Sequence, residues 1–195
     1  MEINKIVSGV LHNNTYVITS GEDAFIVDAN ATVDMIKPYL KGKKVKGILI
    51  THAHFDHIFS LESLLKEFDC KCFVHKNGIA KFANPDLNCS FFFVKQNFDI
   101  SSDRVETISE GDIITFGDEE IKIIELPGHT DCGVGFVVGN NIFCGDTIFS
   151  DGYGRCDLPT SSSKDLRCSI DKLYNNYNNY ILYSGHGEES TVERI

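Results

Sequence analysis

Four side chains that commonly bind metal ions stand within the segment THAHFDH, residues 51–57. His52 and His54 are two positions apart, so in an extended backbone both point to the same side and could hold one ion. Asp56 and His57 follow directly. Three more residues of these types occur later in the chain: His129, Asp146 and His186. Zinc accepts imidazole nitrogen and carboxylate oxygen, so these residue types indicate metal chemistry if the fold brings them together.

Each of these later residues, like His52, follows an apolar run typical of a β-strand. In open α/β folds, ligands bind in the crevice beyond one edge of the sheet, where the ends of several strands meet. The runs and the residues after them are GILI before His52, EIKIIEL before His129, NIFC before Asp146 and YILY before His186. The pattern predicts that four strands deliver their polar residues to one place.

Taken singly, these residues also have structural explanations. Asp56 could cap the helix predicted to follow it, and His57 could belong to the first turn of that helix. Asp146 could be a turn residue. A lone histidine such as His129 or His186 is more often a hydrogen-bonded structural residue. Seven nitrogen and oxygen donors at four strand ends nevertheless favour a metal centre over coincidence.

The remaining sequence predicts a mixed α/β protein that forms a single domain over residues 1–195. Further strands are predicted at NTYVIT, AFIVDA, KCFVH and GVGFVVG, and a hairpin turn at GNN, 139–141. Helices are predicted over 32–40, 57–68 and 163–173. Residues 84–103 fit neither period and are expected to form a long, partly buried loop, which in a compact domain is often functional.

Composition excludes several classes of protein. The net charge is −10, with KGKKVK at 41–46 as the one basic run, so a nucleic-acid-binding surface is not expected. Seven cysteines in no regular spacing indicate reduced thiols. The amino terminus lacks a signal-peptide pattern, and no run approaches the roughly 18 apolar residues of a membrane span. We expect a cytoplasmic protein, monomeric or homodimeric, that binds a small-molecule substrate and neither a membrane nor nucleic acid.

The segment THAHFDH resembles the HxHxDH signature of the metallo-β-lactamase superfamily, and PGHT, CGDT and SGHG match its remaining ligand motifs in order. The stretch GDTIFSDGYGRCDLP, 145–159, is similar to that of small bacterial glyoxalase II-like hydrolases. The resemblance implies a four-layer αβ/βα sandwich of two mixed β-sheets flanked by helices. It also implies two metal ions, one bound by His52, His54 and His129 and the other by Asp56, His57 and His186, with Asp146 bridging them.

The resemblance further implies hydrolysis of a thioester or a related activated acyl bond. A water shared by two cations would ionise near neutral pH, since one zinc ion already lowers its pKa to about 7. Asp56 is expected to orient and deprotonate this water while also serving as a ligand. The expected cofactors are two divalent ions, zinc first, with iron or manganese as alternatives.

Candidate substrate-binding residues are Arg155 and Tyr153. Arg155 matches a basic residue that holds glutathione in glyoxalase II, but an ion pair with Asp157, which stands where those enzymes have tyrosine, is an equal alternative. For Tyr153 and the FFF run at 91–93, packing beneath the long loop is favoured over lining the cleft. Because the chain ends nine residues after His186, we expect no separate C-terminal helical domain for glutathione.

The sequence pattern also fits an enzyme of another class. Persulfide dioxygenases resemble the same pattern but use a single iron held by two histidines and an aspartate, here His52, His129 and Asp146. Two histidines and a carboxylate with open positions suit non-haem iron. A metal-binding protein without catalysis is disfavoured because every ligand is present. A β-lactamase is disfavoured because aspartate, not cysteine, stands at 146.

Overall fold

Two six-stranded sheets make up most of the protein in a computed structural model that describes residues 1–94, 98 and 100–192. The first sheet follows chain order, with three antiparallel strands and then parallel neighbours. Its strands are β1 (Glu2–Ser8), β2 (Asn13–Ser20), β3 (Asp23–Val27), β4 (Lys44–Leu49), β5 (Lys71–His75) and β6 (Val105–Ile108).

The second sheet is built from the later part of the chain. The later strands are β7 (Ile113–Phe116), β8 (Glu119–Glu125), β9 (Val134–Val138), β10 (Asn141–Gly145), β11 (Ile148–Phe149), β12 (Gly152–Tyr153), β13 (Ile181–Ser184) and β14 (Ser190–Thr191). The sheet order is β14-β13-β10-β9-β8-β7, and β11 pairs with β12 as a separate hairpin. Strands β8, β10 and β13 run in the same direction, so their carboxyl ends reach the same edge.

Helices cover the outer faces of the two sheets. They are α1 (Val33–Leu40), α2 (Phe55–Ile58), α3 (Leu61–Phe68), α4 (Lys76–Phe82) and α5 (Ser163–Asn176). Apolar residues of α1 and α3 pack with the first sheet in one cluster, and Leu173 of α5 packs with the second sheet in another. Across the described ranges, the helices are too short or too polar to cross a membrane.

A third apolar cluster fills the space between the sheets. Tyr16 of β2 meets Phe143 of β10 edge-on, with ring centroids 5.2 Å apart. Phe25 of β3 meets Phe116 of β7 in the same way at 5.4 Å. Helices, sheet, sheet and helices therefore form four layers, and the αβ/βα sandwich implied by the sequence resemblance is confirmed.

The helix predicted over 57–68 is wrong in its middle, because the structure has α2 and α3 with a break at Phe59 and Ser60. Ser60 donates its backbone N–H to the Ala29 carbonyl (2.7 Å) and its hydroxyl to the Asn30 carbonyl (2.8 Å). These bonds tie the break to the loop after β3. The predicted helices at 32–40 and 163–173 correspond to α1 and α5, and the hairpin at 139–141 joins β9 to β10.

Several elements have no clear sequence signal. Strands β1, β6 and β7 and helix α4 were not predicted, and each of these strands lies at a sheet edge with a single buried residue. An edge strand with one buried position does not show the alternation that marks a half-buried strand. The loop predicted over 84–103 contains 3-10 turns at Ser90–Phe92 and Ser102–Arg104, and its residues 95–97 and 99 lie outside the described residues.

A hydrogen bond between the sheets near the strand ends gives a testable stability effect. The Tyr16 hydroxyl donates to the Ser184 carbonyl at 2.6 Å and accepts from Asn14 Nδ2 at 3.1 Å. Tyr16→Phe is expected to lower the free energy of unfolding by about 1 kcal/mol, the net contribution of one such hydrogen bond. Urea denaturation measures it. Tyr183→Phe, in the same aromatic cluster but with no such bond between described residues, is the control. Equal stabilities for Tyr16→Phe and the parent would contradict this account.

Candidate metal centre

Three imidazole nitrogens converge in the first part of the site. His54 Nδ1 lies 3.1 Å from His52 Nε2 and 3.0 Å from His129 Nε2. All three side chains are buried. Donors placed 2.0–2.1 Å from a tetrahedral zinc ion are themselves about 3.3–3.4 Å apart, so this spacing is close to that of three metal ligands. We call His52, His54 and His129 the first trio.

A second group of donors lies beside the first. Asp56 Oδ2 is 3.2 Å from His186 Nε2 and 3.6 Å from His57 Nε2. We call Asp56, His57 and His186 the second trio, and the donor atoms within each trio all lie within 4.8 Å of one another. Each trio takes two residues from the segment after β4 of the first sheet and one from the end of a second-sheet strand.

Asp146 lies between the two trios. Its Oδ2 is 3.6 Å from His129 Nε2 and 3.5 Å from His186 Nε2, and its Oδ1 is 3.4 Å from His57 Nε2. Oδ1 is buried and has no hydrogen-bond partner among the described residues. An unpaired buried carboxylate oxygen is costly unless a ligand such as a metal ion satisfies it. The donor set therefore fits two metal ions that share one carboxylate.

Most of the histidines are oriented by a hydrogen bond on the ring nitrogen that faces away from the cluster. Such a bond fixes the tautomer and leaves Nε2 as a lone-pair donor for a metal. The Nδ1 partners are the Thr51 hydroxyl for His52 (3.2 Å), Asp28 Oδ2 for His57 (2.7 Å), the Arg155 carbonyl for His129 (2.9 Å) and the Leu11 carbonyl for His186 (3.0 Å). His54 differs, since its Nδ1 faces the cluster and its buried Nε2 has no partner among the described residues.

Protonation in this cluster suits metal binding. Burial lowers the pKa of His54 to about 3, helped by His129, and burial together with repulsion from His57 holds the pKa of His52 well below its usual range. Burial would raise the pKa of Asp146, but His57 and the other histidines hold it well below its usual range. His52 and His54 are therefore neutral and Asp146 is ionised, which are the forms that bind metal.

The pKa values of the two histidines in the second trio are shifted upward, opposite to those of His52 and His54. Burial lowers the pKa of His57, but Asp28, Asp56 and Asp146 outweigh it and hold that pKa well above its usual range. Burial lowers the pKa of His186, but its hydrogen bond to Asp56 and the charges of Asp146 and Asp56 together raise that pKa above its usual value. A metal ion binding here must displace these protons, so binding of metal and release of protons are coupled.

Asp28 supports the site and was missed by the sequence analysis. It is buried, follows β3, and accepts hydrogen bonds from the Thr51 backbone N–H (2.9 Å), the Thr51 hydroxyl (2.8 Å) and His57 Nδ1 (2.7 Å). The sequence carried a signal for it, because AFIVDA places Asp28 directly after an apolar strand, the same pattern that identified Asp146.

Asp28→Asn is expected to lower metal affinity and hydrolytic rate by about 10- to 100-fold, the usual effect of removing a carboxylate that orients a ligating histidine. Both carboxylate oxygens accept hydrogen bonds, whereas an amide has one acceptor oxygen. Metal titration and steady-state kinetics measure the effect. Asp69→Asn is the matched control, because Asp69 shares the left-handed backbone conformation but its side chain is 88% exposed. An Asp28→Asn enzyme with the metal affinity of the Asp69→Asn control would contradict the assigned role.

Two glycines let the strand ends converge. At Gly145, φ is +53° and a Cβ would lie 2.6 Å from Thr51 Oγ1. At Gly185, a Cβ would lie 2.2 Å from Asp146 Oδ1 and 2.6 Å from His57 Cε1. The Gly185 N–H donates to the Gly145 carbonyl at 2.9 Å. The backbones of β10 and β13 therefore approach the ligands more closely than any side chain would allow.

A cleft of about 560 Å³ opens directly onto the cluster. Arg155 and Asp157 line it as an exposed ion pair, with Nε and Nη2 of the arginine 2.6 and 2.8 Å from the two carboxylate oxygens. The geometry therefore allows both roles considered for Arg155: it forms the ion pair with Asp157, and it borders the cleft where it could contact a substrate. Phe92 and Phe93 line the cleft too and are 67% and 54% exposed, so the expectation that this run packs beneath the loop is wrong.

Tyr153 is a candidate substrate-binding residue for which the sequence favours packing over lining the cleft. Its hydroxyl lies 3.1 Å from that of Tyr174 on α5, and its side chain is not among the described residues that line the cleft. The β11–β12 hairpin therefore holds the Tyr153 hydroxyl next to α5. The structure thus brings all seven predicted ligands and Arg155 together, and leaves Tyr153 outside.

Two mixed sheets with a histidine- and aspartate-rich cluster at one edge define the class of metallohydrolase folds. The chain belongs to the metallo-beta-lactamase superfamily, whose family model matches residues 8–186.

Similar proteins agree with this assignment. "Probable metallo-hydrolase YqgX" of Bacillus subtilis is 29% identical over 98% of this chain and 93% of its own length. The crystal structure of BLEG-1 B3 metallo-beta-lactamase has a TM-score of 0.88 at 26% identity and covers 98% of this chain and 94% of that one. The structure of TTHA1623 in a di-iron-bound form has a TM-score of 0.84 at 26% identity, covering 97% and 94%. Family, relatives and ligand cluster together support a metal-dependent hydrolase.

Proposed function

We propose that this protein hydrolyses a small thioester at a centre of two divalent metal ions, with zinc as the first candidate and iron or manganese as alternatives. The observation that carries the proposal is the pair of complete donor trios joined by Asp146 at the floor of an open cleft. One ion needs fewer ligands than this set provides, which favours two ions over the single iron of a dioxygenase.

The ions, when bound, would polarise the substrate carbonyl and lower the pKa of a bound water molecule. The protein residues then act around them. Asp56 borders the cleft as well as belonging to the second trio, so its carboxylate is placed to orient the attacking water and accept its proton. The water oxygen forms a bond to the carbonyl carbon, the carbon–sulfur bond breaks, and the thiolate released takes up a proton. The products are a carboxylic acid and a thiol.

The groups around the cleft favour a thiol as the leaving group. Apart from the metal ligands, the titratable side chains lining the described cleft are Arg155, Asp157 and Cys89. The hydrogen bond from Arg155 lowers the pKa of Asp157, so this carboxylate is ionised and is not a proton donor at neutral pH. A thiol has a pKa of about 8.5, so a thiolate leaves without an acid to protonate it, whereas an amine or alkoxide needs one.

Metal content and substrate scope test the proposal together. Protein purified without added metal is analysed for zinc, iron and manganese, then assayed with S-lactoylglutathione, acetyl thioesters, a β-lactam and a persulfide, with oxygen uptake followed in parallel. We expect about two ions per chain and thioester hydrolysis that is lost on chelation and restored by metal. One iron per chain with oxygen uptake on a persulfide would overturn the proposal in favour of the dioxygenase. Hydrolysis of the β-lactam alone would overturn the thioester assignment.

A further inference from the structure

A second, smaller groove continues from the cleft past the second trio. Its volume is about 200 Å³, and its walls include Val10, Leu11, Phe59 and Val94. Leu11, Phe55 and Asp56 line both the groove and the cleft at the donor cluster, so the two are adjacent.

Four side chains that line this groove are apolar and exposed. Val10 is 76% exposed, Phe59 43%, and Leu11 and Val94 36% each. Isolated exposed apolar residues are common, but several that line one concave surface mark a binding site. The adjoining Phe93 stacks on Phe55 with ring centroids 5.0 Å apart, so the apolar surface extends into the cleft itself.

The groove adjoins the second trio, whereas the ion pair adjoins the first. The Leu11 carbonyl accepts a hydrogen bond from His186 of the second trio, so the turn between β1 and β2 holds a metal ligand and places Leu11 in the groove. The Arg155 carbonyl does the same for His129 of the first trio. A substrate whose carbonyl sits over the cluster would therefore meet an apolar wall on one side and a charged pair on the other.

We infer that the groove binds the acyl chain of the substrate, while the polar thiol portion lies toward Arg155 and Asp157; this inference rests on the proposed thioester hydrolysis. A thioester joins an acyl chain, which is often apolar, to a thiol carrier, which is polar, and the two ends of the site match this difference. A volume of about 200 Å³ holds roughly six or seven groups of the size of a water molecule, about 30 Å³ each. We therefore expect the groove to accept a short acyl chain of about six carbons.

Chain length gives the first test. The kcat/KM of the metal-loaded enzyme is measured with acetyl, butanoyl, hexanoyl and decanoyl thioesters of N-acetylcysteamine. Because each buried methylene contributes a roughly constant free energy of transfer, kcat/KM is expected to rise about two- to fourfold per methylene up to hexanoyl and then level off. Turnover of the acetyl thioester with no rise along the series would overturn this inference and leave the proposed function intact. No turnover of any thioester would overturn the proposed function itself.

A substitution in the groove gives the second test. Val10→Asp places a charge on an exposed turn, and the ratio of hexanoyl to acetyl kcat/KM is expected to fall at least fivefold. Val7→Asp is the matched control, because Val7 is also exposed, at 49%, but lies in β1 and does not line the groove. An unchanged ratio in Val10→Asp would overturn the inference. An unchanged ratio together with conversion of a dimer to a monomer would assign the groove to a subunit interface instead.

Binding gives a readout that does not depend on turnover. Calorimetry measures the Kd of acetate and hexanoate, the acids that hydrolysis would release, on the same metal-loaded protein. Hexanoate is expected to bind at least tenfold more tightly than acetate, and Val10→Asp to remove most of that difference. Equal affinities of the parent protein for the two acids would overturn the inference.

Discussion

Asp146→Asn is expected to reduce kcat/KM for thioester hydrolysis by about 10³-fold and to lower the metal content from two ions per chain toward one. The carboxylate oxygens of Asp146 lie within 3.6 Å of histidines from both trios, and an amide offers one weaker donor in their place. A correctly held metal contributes several kcal/mol to transition-state stabilisation, and each 1.4 kcal/mol is a factor of ten in rate.

Three measurements separate this effect from misfolding. Metal content by mass spectrometry, kcat/KM with a thioester, and thermal unfolding of the metal-free protein are compared between the parent and the variant. The metal-free Asp146→Asn protein should unfold at about the same temperature as the metal-free parent. Asp118→Asn, at an exposed position, is the control for a lost surface charge. Full activity with two ions bound in Asp146→Asn would show that Asp146 is not a bridging ligand.

Gly185→Ala is the second substitution expected to cause a large loss of activity. One added methyl group would lie 2.2 Å from Asp146 Oδ1 and 2.6 Å from His57 Cε1, so at least one of these ligands must move. Displacement of a reacting group by about 1 Å can reduce the rate 10²-fold. We expect a loss of about 10² in kcat/KM and weaker binding of metal.

Gly152→Ala is the control that separates the steric clash at Gly185 from the general effect of replacing a glycine by alanine. A Cβ at Gly152 would meet no atom within 4 Å, so the same substitution on the nearby hairpin should leave activity unchanged. Steady-state kinetics and metal titration of both variants make the comparison. If Gly185→Ala were as active as Gly152→Ala, the ligand arrangement described here would be wrong, because no room exists in it for the methyl group.

Four of the clustered donors follow a local rule that the sequence shows: an apolar run ends, and within three residues a side chain able to bind metal appears. The other three, His54, Asp56 and His57, follow His52 in THAHFDH. That rule needs no knowledge of distant contacts. The sandwich followed from the resemblance carried by the same motifs, and the structure confirms it. Asp28 obeys the rule as well, but it acts on His57 rather than on metal, and a sequence does not show which carboxylate faces a histidine's second nitrogen.

Other features depend on contacts between segments far apart in the chain. The break between α2 and α3 exists because Ser60 bonds to the loop at Ala29 and Asn30, which no periodicity within 57–68 reveals. Tyr153 carries the right chemistry for a substrate contact, yet the hairpin that holds it faces α5. The side-chain direction of such residues is fixed by tertiary packing, and local pattern contains little of that information.

Each trio takes two donors from the first sheet and one from the second, and this division constrains the order of assembly. A newly made chain has His52, His54, Asp56 and His57 early, but neither trio is complete until the second sheet has docked on the first. His186 follows β13, so the second trio is finished only when nearly all of the described chain is in place. Tight binding of metal is therefore expected late in folding. Bound metal would also oppose separation of the two sheets, because an ion that binds only the native state adds to its stability.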